Sequence, residues 1–193
     1  MIWPNTVRAN VKTGRDREVF AVYPYRSACP QSVWAQLIAE ARSDVFLAGY
    51  IVWLEQPALL QTLRRKAESG CRVRFLLGDP DSDTTRQREQ VEDVALTVST
   101  RIRVTLENLA KLSGTEGFEA RFSAPDDGPN HVGLSVFRFD EHALVTPHLA
   151  RAVGHDSPLM HLRRSGENGM FDRFAEHVEE LWSRGGGIRT GPR

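Results

Sequence analysis

Residues 70–81 read Gly70-Cys71-Arg72-Val73-Arg74-Phe75-Leu76-Leu77-Gly78-Asp79-Pro80-Asp81. A glycine able to stop a helix, an apolar-rich run and a cluster of turn formers describe a short strand entered from a helix and left through a tight turn. Cys71, Val73, Phe75 and Leu77 fall on one face of that strand. Upstream, Leu59, Leu60, Leu63 and Ala67 recur at helical spacing after Pro57, with Arg64, Arg65 and Glu68 facing away. Before them Val45 to Leu54 is almost continuously apolar, as a strand buried on both faces requires. Further upstream, Val33, Trp34, Leu37, Ile38 and Ala41 mark a helix opening near Pro30, and Glu18 to Tyr25 holds a short apolar run expected to be a buried strand. Strand–helix–strand–helix–strand at this spacing predicts right-handed crossovers. The fold class is α/β, with a mixed but mostly parallel sheet flanked by helices.

Downstream, Thr84 and Gln87 have the spacing of a capping box, and Val98, Ile102, Leu106, Leu109 and Leu112 form a further helical stripe. The last third is richer in strands: Phe118 to Ser123, Leu134 to Asp140, Ala143 to Thr146 and Leu159 to Arg163, with a polar loop from Pro125 to Asn130. Phe171, Phe174, Ala175, Val178, Leu181 and Trp182 form one stripe of a final helix, opposite Glu176, Glu179 and Glu180. The domain is expected over residues 18–184, after a leader or linker (1–17) and before a flexible tail (185–193) opened by Gly185-Gly186-Gly187.

A chain of 193 residues with 40% hydrophobic and 26% charged residues is ordinary for one globular domain. Its 25 basic and 25 acidic residues cancel, which removes the usual reason to propose a nucleic-acid-coating protein. Cys29 and Cys71 make neither a disulfide framework nor a metal site, and no cofactor is expected. The N-terminus shows no signal peptide and no stretch reaches the roughly 20 apolar residues of a membrane span, so a cytoplasmic location is expected.

The order of elements and several phrases resemble phospholipase-D-like domains: Gly70 to Leu77, His131 to Asp140, Ala143 to Leu149, and Phe174 with Trp182 in the closing helix. The resemblance spans residues 18–184 and implies a single half of that fold. More closely, Val22-Tyr23-Pro24-Tyr25-Arg26-Ser27, Gly78-Asp79-Pro80-Asp81-Ser82 and Val136-Phe137-Arg138-Phe139-Asp140 resemble the C-terminal module of actinobacterial helix-turn-helix (XRE-type) regulators, a module of unassigned function. That likeness implies a regulatory role in transcription. The chain starts at Met1 with Trp3-Pro4 and leaves no room for a helix-turn-helix before Glu18, so direct DNA binding by this chain is not expected. Because the related fold builds its site between two halves or two subunits, the resemblance also implies a homodimer.

The catalytic signature of that family is His-x-Lys followed, after four residues, by Asp. Its histidine attacks phosphorus, its lysine holds phosphate oxygens and its aspartate orients the ring. Starting from His131 puts Gly133 at the lysine position and Arg138 at the aspartate. Starting from Asp140 puts Ser135 at the lysine and Gly133 at the histidine. His131 and Asp140, the catalytic candidates if the domain is an enzyme, are nine residues apart where the motif needs seven. The excess is about 6.6 Å along a strand. His131, His142, His148, His155, His161 and His177 lack the spacing of a zinc site. The resulting reading is a non-catalytic ligand-sensing or regulatory domain. The alternative is a divergent phosphodiesterase or nuclease acting as a dimer with His131 as nucleophile, and a third reading is a structural dimerisation module.

Ligands of open α/β sheets gather outside the carboxyl ends of the strands. Tyr25, Arg26, Tyr50, Asp79, His131, Arg138 and Asp140 are therefore the candidate ligand-binding residues, with Arg26, Arg138 and His131 expected to converge on a small anion. Arg138 and Asp140 share a face with Leu134 and Val136, and either line a cleft or pair with each other. Asp79 also suits ordinary turn chemistry.

Overall fold

The computed structural model describes residues 18–52, 57–92, 94–150 and 153–188. The expected leader, and residues 189–193 of the expected tail, lie outside them. In chain order the elements are β1 (Val19–Tyr23), α1 (Gln31–Glu40), β2 (Asp44–Ala48), α2 (Pro57–Glu68), β3 (Arg72–Leu77), α3 (Asp83–Glu92) and α4 (Val98–Ala110). They continue with β4 (Phe118–Phe122), α5 (Gly128–Val132), β5 (Leu134–Phe139), β6 (His142–Pro147), β7 (Leu159–Arg163), α6 (Met170–Arg184) and β8 (Gly186–Gly187).

The strands form one sheet in the order β1-β7-β6-β5-β2-β3-β4-β8. The α/β class and the helix-flanked mixed sheet are as expected. The balance of directions is not: only β2–β3 and β3–β4 are parallel, and the other pairs are antiparallel. The helical crossovers α2 and α4 bring the chain back for a parallel start, whereas Asp140 and Glu141 close β5 onto β6 in a tight hairpin that must run antiparallel.

β2 and β3 are buried along both faces and form the centre of the fold. On one face, Leu37 and Ile38 of α1 and Leu60, Leu63 and Ala67 of α2 pack against Val45, Leu47, Val73, Phe75, Phe137 and Phe139. On the other, Phe171, Val178, Leu181 and Trp182 of α6 cover Phe46, Ala48, Leu76 and Val136. Gly70 takes φ +90°, the left-handed stop that releases the chain from α2 into β3.

Several local expectations are corrected. β1 is not buried but lies at the sheet edge, with Phe20 65% and Val22 61% exposed. β2 ends at Ala48 rather than Leu54; residues 53–54 lie outside the described ones. α3 is capped by the Ser82 hydroxyl, which accepts from the Thr85 amide at 3.2 Å, and not by Thr84 with Gln87. The Pro125–Asn130 stretch is not a plain loop: it winds through a 3-10 turn into α5. Gly186 and Gly187, expected in the tail, pair with Phe122 and Arg121 of β4.

Candidate functional site

A cavity of about 760 Å³ opens at the carboxyl end of β2, on the face covered by α1 and α2. Trp34 and Ile38 of α1 and Leu47 and Phe137 of the sheet supply its apolar wall, and Tyr50 and Val52 follow β2 into it. Such a size and lining suit a small organic ligand. Among the described residues its charged groups are Arg26, Arg88 and Arg101 against one glutamate, Glu92.

Those groups are not equivalent. Glu92 receives Arg88 at 2.8 Å and also pairs with Arg101, so both arginines share one buried carboxylate. Arg26 sits in the short turn after β1, pinned by its amide donating to the Ser157 carbonyl at 2.8 Å. Its guanidinium lies 4.9 Å from the Phe137 ring centre and 5.4 Å from that of Trp34. Among the described residues no carboxylate pairs with it. Removal from water lowers its pKa to about 10, with the nearby Cys29 thiol only partly offsetting that effect. A half-buried cation stacked on two rings and lacking an anion is the least compensated charge in the cavity.

His148 lines the same cavity and shares a 2.8 Å hydrogen bond between its Nε2 and the Ser135 hydroxyl. Burial, then Arg26 and Arg88, push its pKa down to about 4, so it is neutral at pH 7. Tyr50 forms part of the floor. Its hydroxyl bonds Ser82 at 2.9 Å and Thr85 at 2.8 Å, tying the site to the first turn of α3. Gly78 lies against the Tyr50 ring, where an added Cβ would come within 2.3 Å of a ring carbon.

Of the residues expected from sequence, Arg26 and Tyr50 line the cavity. The expected convergence of Arg138 and His131 with Arg26 does not occur. Arg138 points to the opposite face of the sheet, because β5 alternates Phe137 toward α1 and Arg138 toward α6. There Arg138 and Arg74 flank Phe46 in register across three strands, and both guanidiniums stack on its ring, at 5.5 and 4.1 Å. Asp44 and Glu179 close this network: Arg138 reaches them at 2.8 and 2.6 Å, and Arg74 at 3.0 and 2.7 Å.

Asp140 is also far from the cavity, and it does not pair with Arg138. Standing at φ 48° in the β5–β6 turn, its carboxylate accepts from the amides of Arg42, Ser43 and Asp44 at 2.7, 3.0 and 2.8 Å and from the Ser43 hydroxyl at 2.7 Å. Burial would raise its pKa, but those donors outweigh it and hold the group ionised. His131 lies on α5, fully buried beneath Tyr50, with ring centres 5.5 Å apart and no hydrogen-bond partner for either ring nitrogen among the described residues. Burial, then the neighbouring His177 and His148, push its pKa down to about 3. The His131 ring is enclosed, and the Asp140 carboxylate is engaged by Arg42, Ser43 and Asp44. Tyr25 faces solvent beside the site, and Asp79 accepts from the Asp81 amide at 2.8 Å in a turn.

Sequence reasoning missed Trp34, Arg88, Glu92, Arg101 and His148. The helical stripe had marked Trp34 as core, while the others sit on helices and a loop whose faces no local pattern distinguishes.

The sequence model of DUF5919, described as a domain of unknown function, matches residues 15–188. The chain belongs to the DUF5919 family. No curated protein matches it significantly. Among solved structures, this DUF5919 domain is similar in fold to Nuc, a phospholipase D family member from Salmonella typhimurium, with a TM-score of 0.56, 12% identity, and coverage of 88% of this chain and 98% of that one. NucT from Helicobacter pylori is similar with a TM-score of 0.53 and 10% identity, over 87% of this chain and 98% of the other. The archaeal chromatin protein TrmBL2 matches with a TM-score of 0.52 and 13% identity over 95% of this chain, which spans only 60% of the TrmBL2 chain. At these identities the likeness establishes a phospholipase-D-like fold for the DUF5919 domain, and its chemistry rests on its own side chains.

Proposed function

We propose that this domain is a non-catalytic ligand-sensing module of a transcription-regulator-type protein, and that it binds a small anion in the cavity between α1 and the carboxyl end of β2. The observation that carries the reading is Arg26, a half-buried guanidinium facing the cavity with no carboxylate partner among the described residues. An anion there would complete a charge-assisted pair in a poorly hydrated setting. The regulatory context is supported by the fold shared with TrmBL2, whose structure was described for a mode of DNA binding. The hydrolytic alternative finds no support in the site, since His131 is enclosed and Asp140 is engaged elsewhere. A homodimer is part of the proposal, on the resemblance to a fold that pairs two halves. Sedimentation giving a 21.7 kDa species at tens of micromolar would remove that part.

A thermal-shift screen of nucleotides, sugar phosphates and carboxylates tests the reading. A ligand at a hundredfold excess over its Kd stabilises the native state by about 2.7 kcal/mol, readily visible as a shift in Tm. At least one anion is expected to stabilise the wild type and not Arg26→Gln. A screen in which no anion acts, or in which Arg26→Gln responds equally, would remove the proposal.

A further inference from the structure

Resting on the anion-binding reading above, we infer that the ligand is an amphipathic organic anion: one carboxylate or phosphate monoester head on a flat apolar body. Arg26 is the station for the head. Its guanidinium already lies over Trp34 and Phe137, so an anion bound to its free edge must lie beside those rings. The cavity beyond it is walled by apolar side chains, among them Ile38, Leu47, Val52, Leu59 and Leu96. A small hydrated ion would leave that surface wet. A body that covers it removes apolar area from water, and this gain is absent for inorganic phosphate or acetate.

The other two cations of the cavity are already engaged. Arg88 and Arg101 both bond Glu92, whose side chain is only 2% exposed, so, although the trio keeps one net positive charge, an anion would have to compete with a buried carboxylate for their donors. His148, neutral and bonded to Ser135, adds polarity between the two stations without adding charge. The site thus offers Arg26 to the negative head and an apolar wall to the remainder of the ligand.

Calorimetric titration of the full chain with five probes tests this: 3-phenylpropanoate, phenyl phosphate, acetate, inorganic phosphate and benzyl alcohol. The two ring-bearing anions are expected to bind at least tenfold more tightly than acetate, inorganic phosphate or benzyl alcohol. Trp34→Leu should weaken the ring-bearing anions several-fold, with circular dichroism checking that the fold is kept. Acetate or inorganic phosphate binding as tightly as its ring-bearing counterpart would overturn the amphipathic class while leaving the anion pocket standing. Benzyl alcohol matching the ring-bearing anions would overturn the need for a charged head, and binding of none of the five would overturn the inferred class. The separate anion screen on Arg26→Gln decides whether the pocket reading falls with it.

Discussion

Arg26 and Arg138 stand on opposite faces of one sheet: Arg26 stacks on Phe137, and Arg138, the next residue in that strand, turns toward Phe46. Adjacent positions in a strand project to opposite sides, so a one-residue difference separates a cavity wall from a structural network. Two arginines that look alike in sequence therefore have different work, and their substitutions should part company.

Arg138→Ala should leave anion binding unchanged and lower stability. The same holds more strongly for Arg74→Ala, since Arg74 is the more buried cation and leaves Asp44 and Glu179 short of a partner. Removing one member of a buried ion network typically costs about 3–5 kcal/mol, to be read from urea unfolding. A loss below about 1 kcal/mol for Arg74→Ala would contradict this assignment.

Asp140→Ala removes the acceptor of four hydrogen bonds at the β5–β6 turn. One buried hydrogen bond to a charged group contributes about 1.5–3 kcal/mol, and because three of these four are exposed and water can replace them, a total loss of about 3 kcal/mol is expected with ligand affinity unaltered. Loss of binding without loss of stability would restore Asp140 to the site.

Stability should fall as the solution is acidified from pH 7 to 5. His131 is held at about 3, and His148 and His161 at about 4, each chiefly by burial, against about 6.5 in an unfolded chain. At pH 7 both states are neutral. Below about pH 6.5 the unfolded chain takes up protons that the fold refuses, so stability drops until the pH reaches the folded values. Glu179, whose burial is outweighed by Arg74 and Arg138, is held at about 2 and adds a further loss between about pH 4.5 and 2. Tm measured against pH should show the decline, and His131→Phe should make it shallower. A Tm unchanged between pH 7 and 5 would contradict the buried neutral histidines.

Gly78→Ala should disturb the cavity floor, since its Cβ would overlap the Tyr50 ring. Displacing that ring breaks its bonds to Ser82 and Thr85. Overpacking of this kind costs about 1–3 kcal/mol, and an affinity change should accompany it. Wild-type stability and binding in this variant would mean that the floor yields freely.

Much of the fold was legible because β2, β3 and the helices between them carry local signals: Gly70 ends α2, and the apolar run of β3 follows at once. The direction of β5 was not legible, because Leu134–Phe139 pairs on one side with β2, nearly a hundred residues earlier. For the same reason Arg138 was recognisable as a charge among apolar residues, but its partners Asp44, Arg74 and Glu179 were not. The place of Arg26 in the cavity wall was legible because it follows a strand end. The cluster of Arg88, Glu92 and Arg101 belongs to two helices whose packing no periodicity reveals.

The central claim is that Arg26, and not Arg138, meets the ligand. It is tested most directly by nuclear magnetic resonance of the arginine side-chain Nε–H groups during titration with phenyl phosphate. The account predicts a saturable shift of the Arg26 signal, with the Arg138 and Arg74 signals stationary. A shift of Arg138 with Arg26 unmoved would contradict it.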